Sequence, residues 1–333
     1  MSLTTEQKKS LKIVTTSDDN FDQLWERAID KFPGATVFYM NSFRQYDRHL
    51  FEERLVHDDS FVVISDANEP LAIVPLYCFK KENGEMSYRY GEGFLRAPLI
   101  KDMNDPEVSK RLLDFIYSRI DQLTKEKGVG EHLALIESIE VYEERLERNY
   151  LTDYRYQDCS AAAGLIDCTQ DEAALRSNLR KSYKPLVNKA ARNYALRCIF
   201  AEEYDEAECE AYRLLHAKAA GRQTRSVESF KEMYQMIKNN EAFLILIKDA
   251  KDNTVGAYFF LFKNGYAFYG SAATDPELDL QSGVGHLGLW SGILQAKARG
   301  CKLLDLGQTI VADENSNKIK NIDFFKGGFG SEL

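Results

Sequence analysis

Several large classes of protein are set aside by what this sequence lacks. Its 333 residues contain six cysteines, Cys78, Cys159, Cys168, Cys198, Cys209 and Cys301, and no two of them form a C-x-x-C pair. Their spacings match neither a zinc site nor a disulfide framework, and several fall in apolar runs. The expectation is reduced, buried thiols and no metal. No stretch approaches the ~20 uninterrupted apolar residues that a membrane-spanning helix needs. The opening MSLTTEQKKS lacks the apolar core of a secretory signal, so a cytoplasmic location with no transmembrane segment is expected. Positive charge is in deficit, with 43 Lys and Arg against 52 Asp and Glu and a net charge of −9. That balance argues against stable DNA binding and leaves any phosphate-bearing partner to a local basic patch. There is no G-x-S-x-G elbow and no repeat of short period.

What the chain does have is ordinary globular composition, 44% hydrophobic and 29% charged, at a length comfortable for two domains. In its first part, periodicity predicts helices over 21–32 and 41–54, the first stopped by Pro33-Gly34. A β-hairpin follows from 61–65 and 71–79, then a short strand at 88–90, a helix over 105–125 and a strand over 133–139. A polar, small-residue passage from Tyr150 to Gly164 marks the boundary, giving domains 1–155 and 160–333.

The second part repeats that rhythm. A strand at 165–168 is followed by Thr169 and Glu172 in capping-box spacing and by a helical run over 171–192 interrupted at Pro185. A strand at 196–200, helices over 204–220 and 226–239, and apolar strands at 242–247 and 256–262 come next. The stretch from Tyr266 to Gly330 then reads strand (266–271), glycine turn (Ser282-Gly283-Val284-Gly285), helix (286–299) ending at Gly300, strand (301–306), polar loop and final strand. The fold class expected is α/β with mixed sheets, in two copies of one unit.

Candidate chemistry concentrates in the second domain. A glycine turn opening a helix presents free N–H groups and the positive end of the helix dipole to an anion, which singles out Gly283 and Gly285. Arg176, Arg180, Lys181, Lys184, Lys189, Arg192 and Arg197 form a basic cluster within an acidic chain. Arg180 is central in it, with Arg176 one turn before and Lys184 one turn after. Lys326 stands among glycines and phenylalanines in FFKGGFG. Asp305, beside Gly307-Gln308, is the first candidate for a general base, with His216 and His286 behind it.

Four segments in order, LRSNLRKSYKPLVNKAARNYALRCI (175–199), GRQTRSVESF (221–230), 256–273 and 289–330 with its LDLG and FFKGGFG, resemble the GNAT-type acyltransferases, specifically their two-domain Fem branch. The resemblance implies two tandem GNAT-like domains with a cleft between them. It also implies transfer of an acyl or aminoacyl group to an amine of a peptidoglycan or cell-surface precursor. The co-substrate would be acyl-CoA or aminoacyl-tRNA, with no tightly bound cofactor. The partners would be a phosphate-containing small molecule or a lipid-linked precursor, and possible tRNA. By the same resemblance Lys326 lies at the active site, binding phosphate or stabilising an oxyanion. Tyr269 and Gly270 lie on the strand that faces the acyl donor, and Arg222, Lys184 and Gln308 join the binding residues. The chain departs from the family at Leu280, which stands where the pyrophosphate loop carries Arg or Gln, with Gln281 one residue out of register. Two alternatives stay open. One is CoA-dependent N-acetylation of an amino sugar or other small amine. The other is a non-catalytic ligand-binding module of the same fold.

Overall fold

A computed structural model describes residues 11–91, 93–101, 105–143, 148–159, 162–309 and 317–331. Contacts divide the chain into two units, Met1–Asp158 and Cys159–Leu333.

The first unit runs β1 (Lys12–Thr15), α1 (Phe21–Lys31), α2 (Asn41–Leu50), β2 (Leu55–Asp58), β3 (Phe61–Ile64), β4 (Pro70–Val74), β5 (Tyr77–Lys80) and β6 (Met86–Tyr88). It continues with β7 (Leu95–Arg96), β8 (Leu99–Ile100), α3 (Pro106–Lys127), β9 (Val129–His132), β10 (Ala134–Leu135) and α4 (Ser138–Tyr142). One sheet has the order β1-β3-β4-β8, a second β2-β5-β6-β9, and β10 pairs with β7. The fully buried run Phe61–Ile64 serves two faces at once, because alternate strand residues point opposite ways. Phe61 and Val63 pack in one core with Leu112, Ile116 and Ile120 of α3. Val62 and Ile64 pack in another with Phe21, Leu24 and Trp25 of α1. The parallel pair β6–β9 is bridged by α3, as parallel strands require a crossover.

The second unit runs β11 (Ala162–Asp167), α5 (Glu172–Asn178), α6 (Tyr183–Asn193), β12 (Ala195–Ile199), α7 (Glu206–Ala220), α8 (Val227–Lys238), β13 (Ala242–Lys248), β14 (Thr254–Lys263) and β15 (Tyr266–Thr274). Then come α9 (Val284–Ala298), β16 (Leu303–Thr309) and α10 (Asn317–Gly327). Its six-stranded sheet has the order β11-β16-β15-β14-β13-β12. All neighbours are antiparallel except β15 and β16, which are parallel and joined through α9. The continuous apolar run of β13 is explained by burial on both faces. Phe243, Ile245 and Ile247 meet α9 and α6 in one core, while α7 sets Tyr212 parallel to Phe259, with ring centroids 6.4 Å apart, on the other face.

Helix α9 lies unusually close to β14. A Cβ on Gly288 would stand 2.1 Å from the Tyr258 ring, and one on Gly292 2.0 Å from the Phe260 ring. These two glycines, one turn apart, are notches into which adjacent same-face side chains of the strand fit.

The structure corrects several expectations. The 41–54 helix stops at Leu50, and Asn41 is its first residue rather than its cap. The 71–79 strand is broken at Pro75, which has no N–H to give a ladder. Where a strand is expected over 133–139, there are only the two-residue β10 and the start of the short α4, the longer strand β9 lying just before. No capping box forms at Thr169, whose hydroxyl donates to Asp167, and Asp171 caps α5 through the Ala174 N–H. The 171–192 helix breaks over 179–182, before Pro185, which fits the first turn of α6 where its missing N–H is not needed. The expected final strand is the helix α10. Its run of phenylalanines reads as β-prone locally, but tertiary packing decides otherwise.

Gly292→Ala should lower stability by roughly 1–3 kcal/mol through overpacking against Phe260. Gly300, left-handed at φ 76°, has open space for 4 Å around the place a Cβ would take, so Gly300→Ala should cost only its backbone strain, about 1 kcal/mol. Urea unfolding of the full chain would rank them. Equal and negligible effects would refute the notch.

Candidate functional site

The sheet of the second unit opens between its two parallel strands. β15 and β16 pair at Tyr266–Leu303, Ala267–Leu304 and Phe268–Asp305, and the register ends there although both strands run on. Each keeps its outer partner, β14 and β11. Past Phe268 and Asp305 the facing edges therefore no longer pair with each other, an arrangement in which a ligand can lie along a strand edge.

Two glycines produce this fork. In β15, Phe259 faces Ser271 and Phe260 faces Tyr269, so Gly270 is an extra residue, a bulge. A Cβ there would come 2.6 Å from Leu261 Cδ1. In β16, Asp305 faces Leu165 while Gln308 faces Ala163, so two residues oppose one. Gly307, within that bulge, has φ 87°. Bulges bend the strand that carries them, and the left-handed φ needs glycine.

Asp305 holds the β16 bulge in shape. One carboxylate oxygen accepts from the Gly307 N–H at 2.5 Å and the other from the Tyr266 hydroxyl at 2.7 Å. The side chain is buried, and it sits within the strand rather than at its end. Lys326 reaches the same place from α10: a Cβ on Gly307 would lie 3.4 Å from Lys326 Nζ and 3.9 Å from the Phe268 ring. Burial holds the Lys326 ammonium below its ordinary pKa, partly opposed by the charges of Asp323 and Asp305. Asp305 and Lys326, the two candidates for catalysis, thus lie together beside Gly307, with Lys326 on the last turn of a helix rather than on a strand. The half-buried Phe268 ring lies beside them, a neighbour that an aromatic on an apolar strand does not announce in the sequence.

An aromatic clamp keeps α10 in position. The Tyr183 ring stacks edge-on against His286, with centroids 4.3 Å apart, and against Phe329 at 5.2 Å, and Phe325 lies 5.2 Å from His286. A Cβ on Gly328 would stand 2.1 Å from the Tyr183 ring, and one on Gly330 2.6 Å from Asn178 Cβ. Gly328 and Gly330 are therefore there for close packing, whereas a Cβ on Gly327 would meet nothing within 4 Å. Arg180 is part of the clamp. Its N–H donates to the Gly328 carbonyl at 2.8 Å, its guanidinium to the Tyr183 hydroxyl at 3.0 Å, and its charge lies 3.8 Å above the Phe324 ring.

Other sequence candidates are placed differently. Arg180 lies between α5 and α6, not in mid-helix, and the basic cluster is divided among closing contacts. Arg176 donates to Asn188, Lys184 to the Ser177 carbonyl, Lys189 to the Gln281 carbonyl, and Arg197 to Glu208 and Asp205. Gly283 caps α9 at φ 77°, where a Cβ would stand 2.3 Å from the Leu186 carbonyl oxygen, so packing on α6 requires it. The cap residue Gly283 has no side chain to offer, the Val284 N–H donates to the Ser282 hydroxyl at 3.4 Å, and the first-turn N–H groups have no partner within the helix. Gly285 sits in that turn, 3.6 Å (as a Cβ) from the Phe325 ring. Tyr269 stacks on Phe260, with centroids 5.2 Å apart, and burial raises its hydroxyl pKa. Arg222 is exposed in the turn after α7. Gln308 is on β16, and its side chain lies outside the described residues. Burial holds His286 and His216 at pKa values of about 4, with Arg180 and Arg225 acting in the same direction. Cys78, Cys168, Cys209 and Cys301 are buried, Cys198 is half-buried and Cys159 exposed. Among the described residues no cluster could hold a metal ion and no helix is long and apolar enough to cross a membrane.

Residues 175–315 match the family model described as Acetyltransferase (GNAT) domain. No curated protein matches the chain in sequence. Among solved structures, FemX aligns at TM-score 0.63 and 12% identity, over 96% of this chain and 94% of FemX. The C-terminal domain of an Agrobacterium fabrum protein, provisionally named a lysylphosphatidylglycerol synthetase, aligns at 0.55 and 12%, over 93% and 88%. A tandem GNAT protein from the clavulanic acid biosynthesis pathway aligns at 0.51 and 12%, over 97% and 95%. The fold is therefore that of two tandem GNAT-like domains, and the resemblance to the Fem branch read from the motifs extends in fold over the chain.

His286 takes a proton near pH 4 when folded but near 6.5 when unfolded. Its contribution is present above pH 6.5 and is lost as pH falls from there through 4. After allowing for partial solvent screening this amounts to roughly 1–3 kcal/mol. His286→Phe should flatten that part of the stability–pH curve. An unchanged slope would show that the ring titrates normally.

Proposed function

We propose that the C-terminal unit transfers an acyl or aminoacyl group to a primary amine of a peptidoglycan or other cell-surface precursor. The observation that carries this reading is the fork between β15 and β16 with Lys326 at its apex. Open strand edges can hold an extended donor in line, and a partly buried ammonium beside them can stabilise charge that develops on the donor's carbonyl.

In the reaction, the acceptor nitrogen attacks the acyl carbon and the carbonyl π pair moves to oxygen. The Lys326 ammonium faces that oxyanion. Collapse restores the carbonyl and expels the CoA thiolate or the ribose oxygen of an aminoacyl ester, and the proton lost by the amine ends on the leaving group through solvent. Asp305, with both carboxylate oxygens already accepting hydrogen bonds, is a positioning residue here: it shapes the Gly307 bulge and sets the field at Lys326. Arg180 positions α10 through Gly328 and Phe324. The start of α9 at Gly283–Gly285 faces the donor's phosphate, Tyr269 and Gly270 line the donor strand, and Lys184, Arg222 and Gln308 extend the binding surface.

A cell-surface acceptor is supported by the Fem-like resemblance and by the Agrobacterium protein, whose name concerns an aminoacylated lipid. A second reading, CoA-dependent N-acetylation of a small amine, is favoured by the family match over 175–315. Leu280, in the place of the pyrophosphate-binding Arg or Gln, weighs against it.

The full chain would be given acetyl-CoA or a mixture of charged tRNAs, each with UDP-muropeptide or glucosamine, and the products weighed by mass spectrometry. We expect an acylated muropeptide. Lys326→Met should keep its thermal midpoint and lose about 10²-fold or more in kcat with little change in KM. Acylated glucosamine from acetyl-CoA would favour the second reading. No turnover with any pair, or full activity in Lys326→Met, would overturn the assignment.

A further inference from the structure

The N-terminal unit contains a pocket with a built polar floor. It encloses about 260 Å³ of empty space, counting its open mouth, and is lined by Phe38, Phe43, Tyr77, Tyr90, Asp47 and Arg96 among others. Pro75, between β4 and β5, forms part of its wall. Asp47, on α2, is 4% exposed. Its Oδ1 is buried and has no hydrogen-bond partner, while the Tyr90 hydroxyl hydrogen-bonds the same carboxyl group. A buried carboxylate oxygen left unpaired costs several kcal/mol unless something satisfies it.

Neither neighbouring arginine bonds this oxygen, and their charges are directed mainly to other carboxylates, although Arg44 Nε is itself buried without a hydrogen-bond partner. Arg44, 1% exposed and 4.7 Å from both the Phe21 and Trp25 rings, binds Asp22 at 3.2 Å, Asn41 at 2.8 Å and Asp58 at 3.1 Å. Asp58 is shared with Arg48 at 2.7 Å. Arg96 pairs with the buried Glu137 at 2.8 Å and lies 3.5 Å over the Phe38 ring. Both arginines act on Asp47 at longer range, against burial and the charge of Asp58, and burial prevails: the carboxyl is held well above its ordinary pKa. Pairing Arg44 and Arg48 with Asp22 and Asp58, and Arg96 with Glu137, leaves Asp47 as the buried carboxyl with no cation of its own, and it stays protonated until one arrives.

The other walls suit a cation. Phe43 and Tyr90 lie nearly parallel with centroids 6.1 Å apart, and Phe38 meets Phe43 edge-on at 5.2 Å. Aromatic faces around one carboxylate attract an ammonium both through their quadrupoles and by shielding the pair from water. We propose that this pocket binds the primary ammonium group of a small ligand or ligand headgroup, with Asp47 as its counter-ion and Phe43, Tyr77 and Tyr90 as its cage. The enclosed part has room for little more than a water-sized group, so it admits the ammonium head, with a short alkyl stem leaving through the open mouth. Nothing about this pocket depends on the transfer reaction proposed for the other unit. Binding deprotonates the Asp47 carboxyl and forms its ion pair with the incoming ammonium, the released proton going to buffer.

The test uses the full chain and two probes of matched shape, n-propylammonium chloride and 1-propanol, followed by calorimetry near neutral pH in two buffers of different ionisation enthalpy. We expect saturable binding of n-propylammonium with proton release, binding of 1-propanol weaker by about ten-fold or more, and a similar loss in Asp47→Asn. Phe43→Leu removes one aromatic face and leaves Asp47 in place. It should weaken n-propylammonium more than 1-propanol, so it serves if Asp47→Asn fails to fold, and an equal effect on the two probes would count against the cage. Equal affinity for the two probes, unchanged affinity in Asp47→Asn, or no saturable binding of n-propylammonium to the parent protein would each overturn the proposal.

Discussion

Everything proposed for the second unit depends on two neighbouring parallel strands that stop pairing halfway along. A parallel pair buried between helices would ordinarily continue until one strand ends, because unpaired backbone groups in the interior are costly. Here β15 and β16 separate after three residue pairs. Each strand carries a glycine at which its backbone departs from the pleat, Gly270 by an inserted residue and Gly307 by a left-handed φ. The unfavourable exposure of strand edges is tolerated because each strand still has a full partner on its outer side. The sheet is thereby open in its middle without having become two sheets.

The charge at this opening comes from a distant part of the chain, and the aromatic clamp brings it there. Tyr183 is the common element. It opens α6, receives His286 from α9 and Phe329 from the C-terminal segment, and leaves room for the backbone at Gly328. Arg180, three residues earlier, bonds the same backbone. Helix positions, the fork and Lys326 are thus coupled through side chains that themselves touch no reacting group. Asp305 has a comparable role on the strand side. Its carboxylate is the acceptor that a buried tyrosine hydroxyl and a bulged N–H both need, so its charge is put to structural use beside the ammonium it faces.

The order of elements in the second unit was legible from the sequence, and Asp305 and Lys326 could be singled out there before their proximity at the fork was known. Leu165 to Leu306 alternates strand and helix signals strongly enough that type and approximate position follow from periodicity and from stop residues such as Gly221 and Gly300. The failures have a common physical cause. FFKGGFG reads as a strand when its phenylalanines are weighed for local preference, but Gly328 and Gly330 serve tertiary contacts with Tyr183 and Asn178 that no local rule contains. The basic cluster reads as one phosphate-facing surface when taken as one helix, yet a break at 179–182 turns its members toward different partners. Gly283 reads as an anion loop, and a carbonyl of Leu186 at 2.3 Å from its missing Cβ gives a sufficient packing reason for it. In the first unit, Asp47 within NSFRQYDRHL has no sequence signal at all. Its burial becomes visible only once α2, carrying Phe43, is packed against Tyr90.

The notched face of α9 has a mechanical consequence. Where Tyr258 and Phe260 seat in the spaces above Gly288 and Gly292, the helix is keyed to the strand like a shaft to its hub. It cannot slide by a residue or roll about its axis without driving a ring into backbone, and only displacement away from the sheet remains soft. Whatever settles at the start of α9 therefore meets an end whose axial position and rotational phase are indexed to β14, and through β14 to the bulge at Gly270.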